Sequence, residues 1–284
     1  DTYRMGGNSF KGSLTSGTNH PSGVITYFYI KDPKDKEVSL SFLNESNDTI
    51  RTYSTKDKKN NLKIKEGSNQ FIWDTRGKNA EMLDGMIFWW GSTRGPKSVP
   101  GNYKVVLSVD EQRLTKNFLI LADPNSETDI NGMQRQFDFI TEINQTVDKA
   151  HKSIKKIRKI NGQLEAFQKQ YKDNEDVKDL VEKAEKLSDS LSEIEKALYQ
   201  TKNKSNQDPL NFPIKLTNKL AHLNSLVGMD DYPPTKQDVA VKNELTLKIN
   251  RELKKFDQLI TEEIKSFNEQ FNAKNLNYLI VDDD

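Results

Sequence analysis

Three tryptophans, Trp73, Trp89 and Trp90, fall close together in a chain of 284 residues, with Asp74, Asp84, Arg76 and Arg94 between and around them. Indole faces stack on pyranose rings, so the three are candidate ligand-binding residues for a sugar. Two facing carboxylates at a set separation can cleave a glycosidic bond, and Asp74 and Asp84 are the acids best placed by sequence. An aspartate directly after a strand tends, however, to accept from the backbone N–H two residues on, and Asp74 reads in that way. Strand alternation puts Trp89 and Trp90 on opposite faces. At most one of them is core, and the other is exposed or covered by a neighbour. Tryptophan commonly anchors protein interfaces, so packing against another domain is the favoured role and ligand contact the second.

The three histidines are scattered. His151 lies on an apolar helical stripe between Val147 and Ile154, together with Asn144. Such a polar pair can bind a metal or set a helix register, but buried polar groups are usually satisfied by ordinary hydrogen bonds, and that reading is preferred. His20 sits in a linker and His222 beside a helical stripe. Cysteine is absent, which removes disulfides and thiolate zinc sites and leaves the redox compartment open. The chain shows no Ser-His-Asp order, phosphate-binding glycine loop, zinc spacing or calcium loop. No catalytic residue, metal or cofactor is therefore expected. Lys56–Lys59 reads as a solvated hairpin tip rather than a phosphate patch.

The elements that must hold these residues change character along the chain. Residues 1–22 are rich in Gly, Ser, Thr and Asn and read as a linker from a domain N-terminal to it. Short β-branched and aromatic runs then recur at the spacing of a sandwich. They are Val24–Ile30, Val38–Leu43, Thr49–Tyr53, Asn69–Trp73, Gly85–Trp90, Tyr103–Val109 and Leu114–Leu121, and the predicted domain is 23–122. At Ala122–Asn125 the apolar period switches to 3.5–3.6. Ser126 or Thr128 is placed to cap a first helix, with Asp129 at the positive end of its dipole. Its stripe runs Met133, Phe137, Ile140, Val147, Ile154, Ile157, Leu164, Phe167, Tyr171.

A second stripe is Val177, Leu180, Ala184, Leu187, Leu191, Ile194, Leu198. A short third helix carries Leu216, Leu220, Leu223 and Val227, with Gly228 as its C′ residue. A long fourth carries Leu245, Ile249, Leu253, Phe256, Ile260, Ile264, Phe267 and Phe271. The apolar tail Leu276–Val281 is expected to dock and Asp282–Asp284 to fray. Helices with single apolar stripes bury them on one another, which predicts an elongated antiparallel four-helix bundle over 123–284. The fold class expected is thus β + α, an Ig-like or FnIII-like β-sandwich followed by that bundle.

Composition narrows the function classes. Net charge is +1, charged residues make up 30% and mean hydropathy is −0.81, so the whole chain offers no electrostatic case for nucleic acid or an anionic membrane. Residues 1–122 carry 18 Lys/Arg against 13 Asp/Glu, a net of +5, and the remainder a net of −4. No apolar run approaches the roughly 20 residues of a membrane helix, and no membrane insertion is expected.

Gly23–Asp32, Thr49–Arg51, Gly67–Arg76 and Gly95–Val109 with Pro100-Gly-Asn-Tyr103 resemble the domain that follows the propeller in large bacterial BNR/Asp-box, sortilin-type propeller proteins, commonly labelled glycosyl hydrolases. Pro213–Leu220 and Pro233–Gln237 are similar to C-terminal segments of that family, and the first domain also looks like the Ig-like domain of flagellar hook-capping proteins. The hydrolase label belongs to the propeller, whose Asp-box repeats are absent here, so no catalytic residue carries over. The resemblance implies a non-catalytic C-terminal accessory or interaction module of an exported protein, located in the periplasm, at the outer membrane or outside the cell. Its implied partner is the β-propeller of the same parent chain, with a glycan or protein ligand besides. Alternatives are a carbohydrate-binding module using an exposed Trp and a helical module for partner binding or dimerisation.

Overall fold

The computed structural model describes residues 21–276. The expected linker over 1–22, His20, and the tail beyond Leu276 lie almost wholly outside them. Alternation of apolar and polar side chains sets the strands: β1 (Val24–Ile30), β2 (Val38–Leu43), β3 (Thr49–Ser54), β4 (Gly67–Trp73), β5 (Gly101–Val109) and β6 (Gln112–Ile120). They form two antiparallel sheets, a two-stranded β1-β4 and a four-stranded β3-β2-β5-β6. β2 shows the period-2 pattern of a strand with one buried face. Val38, Leu40 and Phe42 are fully buried, while Ser39, Ser41 and Leu43 are half-exposed. Both sheets contribute to one core in which Phe42 stacks on Trp73 at 4.4 Å between ring centroids. Val105, Leu107 and Val109 of β5 pack against that core, as their shared face predicts.

Six strands are present among the described residues, and the expected seventh is not. Gly85–Trp90 is irregular. Gly85 and Trp90 both have positive φ, +78° and +55°, which breaks an extended run at its two ends.

The helices are α1 (Ile130–Gln170), α2 (Lys178–Leu198), α3 (Leu216–Val227), α4 (Lys236–Gln258) and α5 (Lys265–Ala273), with a π-helical turn over Leu259–Ile264 joining the last two. At the start of α1 neither Ser126 nor Thr128 supplies the cap. The Asp129 carboxylate accepts from the Gly132 N–H at 2.6 Å, the usual N-cap contact. α4 opens on a capping box in which Thr235 and Asp238 satisfy each other's backbone N–H. Gly228 follows α3 with φ −85°, so it does not close the helix in the left-handed conformation expected of it. The α2 stripe from Val177 to Leu198 is buried at every predicted position. The single long fourth helix expected is thus split at the π-helical turn; along it Leu245, Ile249, Phe256, Phe267 and Phe271 are buried, and Leu253, Ile260 and Ile264 pack partly buried against the same core.

The chain divides into two compact units at more than one place. Residues 21–78, 94–138 and 231–233 form a β unit, and residues 79–93, 139–230 and 234–276 form a helical unit. The sequence suggests a single boundary at 122/123. The observed division instead assigns the 79–93 segment, which connects β4 to β5, to the helices. The first turns of α1 and the Asp231–Pro233 stretch go with the strands, where Lys97 meets Asp231 at 3.2 Å and Gln136 donates to the Tyr232 carbonyl at 2.9 Å.

Candidate functional site

Segment 79–93 contains two of the three tryptophans, and its backbone polar groups are met by side chains of the helical unit instead of a strand ladder. Asn218 of α3 clamps Trp89 from both sides. Its Oδ1 accepts from the Trp89 N–H at 2.8 Å and its Nδ2 donates to the Trp89 carbonyl at 2.9 Å. Ile87 N–H donates to the Tyr199 hydroxyl at 2.9 Å, Glu81 N–H to Asp148 Oδ1 at 2.9 Å, and Ser92 N–H to the Ala221 carbonyl at 2.9 Å. Backbone groups taken from water need a partner, and in this largely half-buried segment these side chains and the Ala221 carbonyl supply several of them. The approach to α3 is close. A Cβ on Gly91 would lie 2.9 Å from the Asn218 amide and 3.1 Å from Ala221.

His151 sits beneath this segment. It is fully buried, with its ring 5.5 Å from that of Phe88 in an edge-on arrangement. Its Nδ1 lies on the Glu81 carbonyl, and since a carbonyl only accepts, Nδ1 carries the proton. Nε2 is buried and has no hydrogen-bond partner. Burial holds its pKa below the usual histidine value, against the raising influence of the Glu81 contact and of Asp148. Asn144, expected beside it, accepts from the Asn224 amide at 2.8 Å and is buried. The sequence reading gave both residues partial burial with satisfied hydrogen bonds, whereas the structure buries both and satisfies only one nitrogen of His151 among the described residues.

The tryptophans separate into three environments. Trp73 is completely buried and its indole N–H donates to the Arg76 carbonyl at 3.0 Å. It offers no face to a ligand and is withdrawn as a binding candidate. Trp89 is half-buried. Trp90 is 69% exposed, its left-handed backbone held by a hydrogen bond of 2.7 Å from Ser225 Oγ to its carbonyl. Leu226 and Met229, 52% and 77% exposed, follow Ser225 in the chain. Asp74 turns back to accept from the Arg76 N–H at 3.2 Å and meets Arg94 at 3.2 Å, as its position after a strand predicts. Asp84 is exposed within the segment, and the structure brings it no second carboxylate among the contacts of the helical unit described above.

Tyr199, Asn218 and Ser225 were missed by sequence reasoning. A signal for the last two exists, because Thr217, Asn218, Asn224 and Ser225 interrupt a short helix with residues that compete for backbone hydrogen bonds, and three of these four are buried. Among the described residues no group of three or more His, Cys, Asp or Glu side chains comes together to hold a metal ion, and no helix is long and apolar enough to cross a membrane. No protein-family model, curated protein or solved structure matches the chain.

Proposed function

We propose that this chain is a non-catalytic interaction module, an Ig-like β-sandwich with a four-helix bundle, that serves as the C-terminal accessory part of an exported propeller-type protein. The observation that carries the binding role is Trp90. A left-handed backbone costs a non-glycine residue roughly 1–2 kcal/mol, and here it displays a large aromatic side chain that is 69% exposed. Neither feature adds to stability, and strain of this kind concentrates where a segment has a ligand to meet. Support for the Ig-like assignment comes from the buried Trp73 and from Tyr103, whose hydroxyl donates to the Val99 carbonyl four residues upstream at 2.6 Å, a contact like the tyrosine corner of such domains. The surface that Trp90 displays is assigned to the propeller of the parent chain. The exposed indole also supports the second reading, stacking on a glycan.

A photo-crosslinking amino acid at position 90 of the parent protein tests this. A crosslink into the propeller is the expected result, together with no turnover by the 284-residue chain on a panel of glycosides. Turnover that disappears on changing one Asp or Glu would overturn the non-catalytic reading, and failure to crosslink would remove the partner. Glycan-array binding lost in Trp90→Ala would transfer the site to the second reading.

A further inference from the structure

We propose a second binding surface, on the outward face of the two-stranded sheet, whose ligand is an acidic oligosaccharide. Tyr27 and Tyr29 stand two residues apart on β1, so both project from the same face at about 6.7 Å spacing. They are 72% and 67% exposed. Single exposed aromatics are ordinary, whereas adjacent ones that build a patch mark a binding site. The register places Gln70 opposite Tyr27, Ser68 opposite Tyr29 and Ile72 opposite Ile25. Gln70 Nε2 donates to the Tyr27 hydroxyl at 2.9 Å, which fixes the phenol and leaves the amide oxygen to the solvent side.

Beside this platform Tyr27, Lys63, Lys65, Ser68 and Gln70 line an open cleft of about 520 Å³. Lys63 and Lys65 are exposed, and no ion pair is formed by either ammonium among the described residues. Their segment is nevertheless fixed. Buried Asn69 accepts from the Lys65 N–H at 2.8 Å and donates to the carbonyls of Lys65 and Gly67 at 2.8 and 2.9 Å. A platform held in place before binding loses less ordering entropy on association.

Each part suits one feature of the ligand. The tyrosine faces take the C–H face of sugar rings, the Gln70 and Ser68 side chains exchange hydrogen bonds with hydroxyls, and the two ammonium groups meet carboxylates. A nucleic acid strand needs a groove that neutralises a run of phosphates. Here only two lysines are present, with Glu66 beside them. An oligouronate fits this charge and this flat aromatic surface.

The proposal does not depend on Trp90, and its test separates the two surfaces. Isothermal titration of the full chain would use a galacturonate oligomer, a neutral galactoside oligomer of the same length and oligo-dT. The galacturonate is expected to bind best. Tyr27→Thr and Tyr29→Thr, which keep strand propensity, should each weaken it about tenfold with unchanged circular dichroism. The double variant Lys63→Gln/Lys65→Gln should erase the preference for the acidic oligomer and its salt dependence. No binding of the galacturonate, equal or tighter binding of oligo-dT, or affinity lost in Trp90→Ala and kept in the tyrosine variants would each overturn it.

Discussion

With Nδ1 protonated on the Glu81 carbonyl and Nε2 lacking an acceptor, His151 is held as the neutral ring. The charged groups around it are Asp148 and Glu81, which favour protonation, and Arg158, which opposes it, but desolvation outweighs them all. The unfolded chain titrates this residue near pH 6.5 and the folded chain at a lower value. Between the two, the unfolded state binds more protons, so stability rises with pH there. Its contribution is complete above about pH 6.5 and declines as the pH falls toward the folded-state value. Urea midpoints should therefore drop on acidification from about pH 7.5 to 5.5 by more in the wild type than in His151→Gln. Asn218 makes a second residue-level prediction. Asn218→Ala leaves both Trp89 backbone groups without their partner and is expected to cost about 1–3 kcal/mol in chemical denaturation. At Trp90 stability and binding should part. Trp90→Gly removes the left-handed strain, with a net change between zero and about 1 kcal/mol of stabilisation, while losing the crosslinked partner.

At the scale of elements, the legible parts were those with a single dominant period. The α2 stripe and the alternation of β2 are read correctly position by position, because burial on one face leaves only one repeat. Gly85–Trp90 failed for a physical reason. Its apolar side chains Met86 and Phe88 pack against a helical core, and a short apolar run carries no period with which to announce this. The partners that fix its backbone, Tyr199 and Asn218, lie more than 100 residues away in the chain. One prediction belongs here. A fragment covering 123–284, cut at the boundary the sequence suggests, lacks the segment and leaves His151, Asn218 and Tyr199 with buried polar groups unmatched. Its thermal unfolding should be broad and its near-ultraviolet circular dichroism weak, and adding a peptide of residues 79–93 should sharpen the transition. A cooperative fragment unaffected by the peptide would contradict this account of the segment.

For the molecule as a whole, charge and composition set limits more than they specify. The net +5 of residues 1–122 is a modest bias, and it gains meaning only where Lys63 and Lys65 line a cleft beside the Tyr27 and Tyr29 face. That face was invisible in the sequence, since exposure of an alternating strand residue depends on what covers the sheet. The β core, by contrast, was legible in the alternation of Val38, Leu40 and Phe42, whereas Trp73, a ligand candidate by sequence, proves to be buried in it. Replacing Trp73 by Ala should cost about 3–5 kcal/mol, large beside the total stability of a domain of this size, and unfolding midpoints will report it directly.

The 79–93 segment also has a consequence in time. Its hydrogen bonds to Asn218 and Ser225 span 129 and 135 residues of chain, and such long closures slow folding. During synthesis the segment leaves the ribosome well before α3 exists to receive it. Met86, Phe88 and Trp89 must then wait uncovered until the last helices are made, which makes this stretch the natural client of a chaperone and the point from which misassembly would begin.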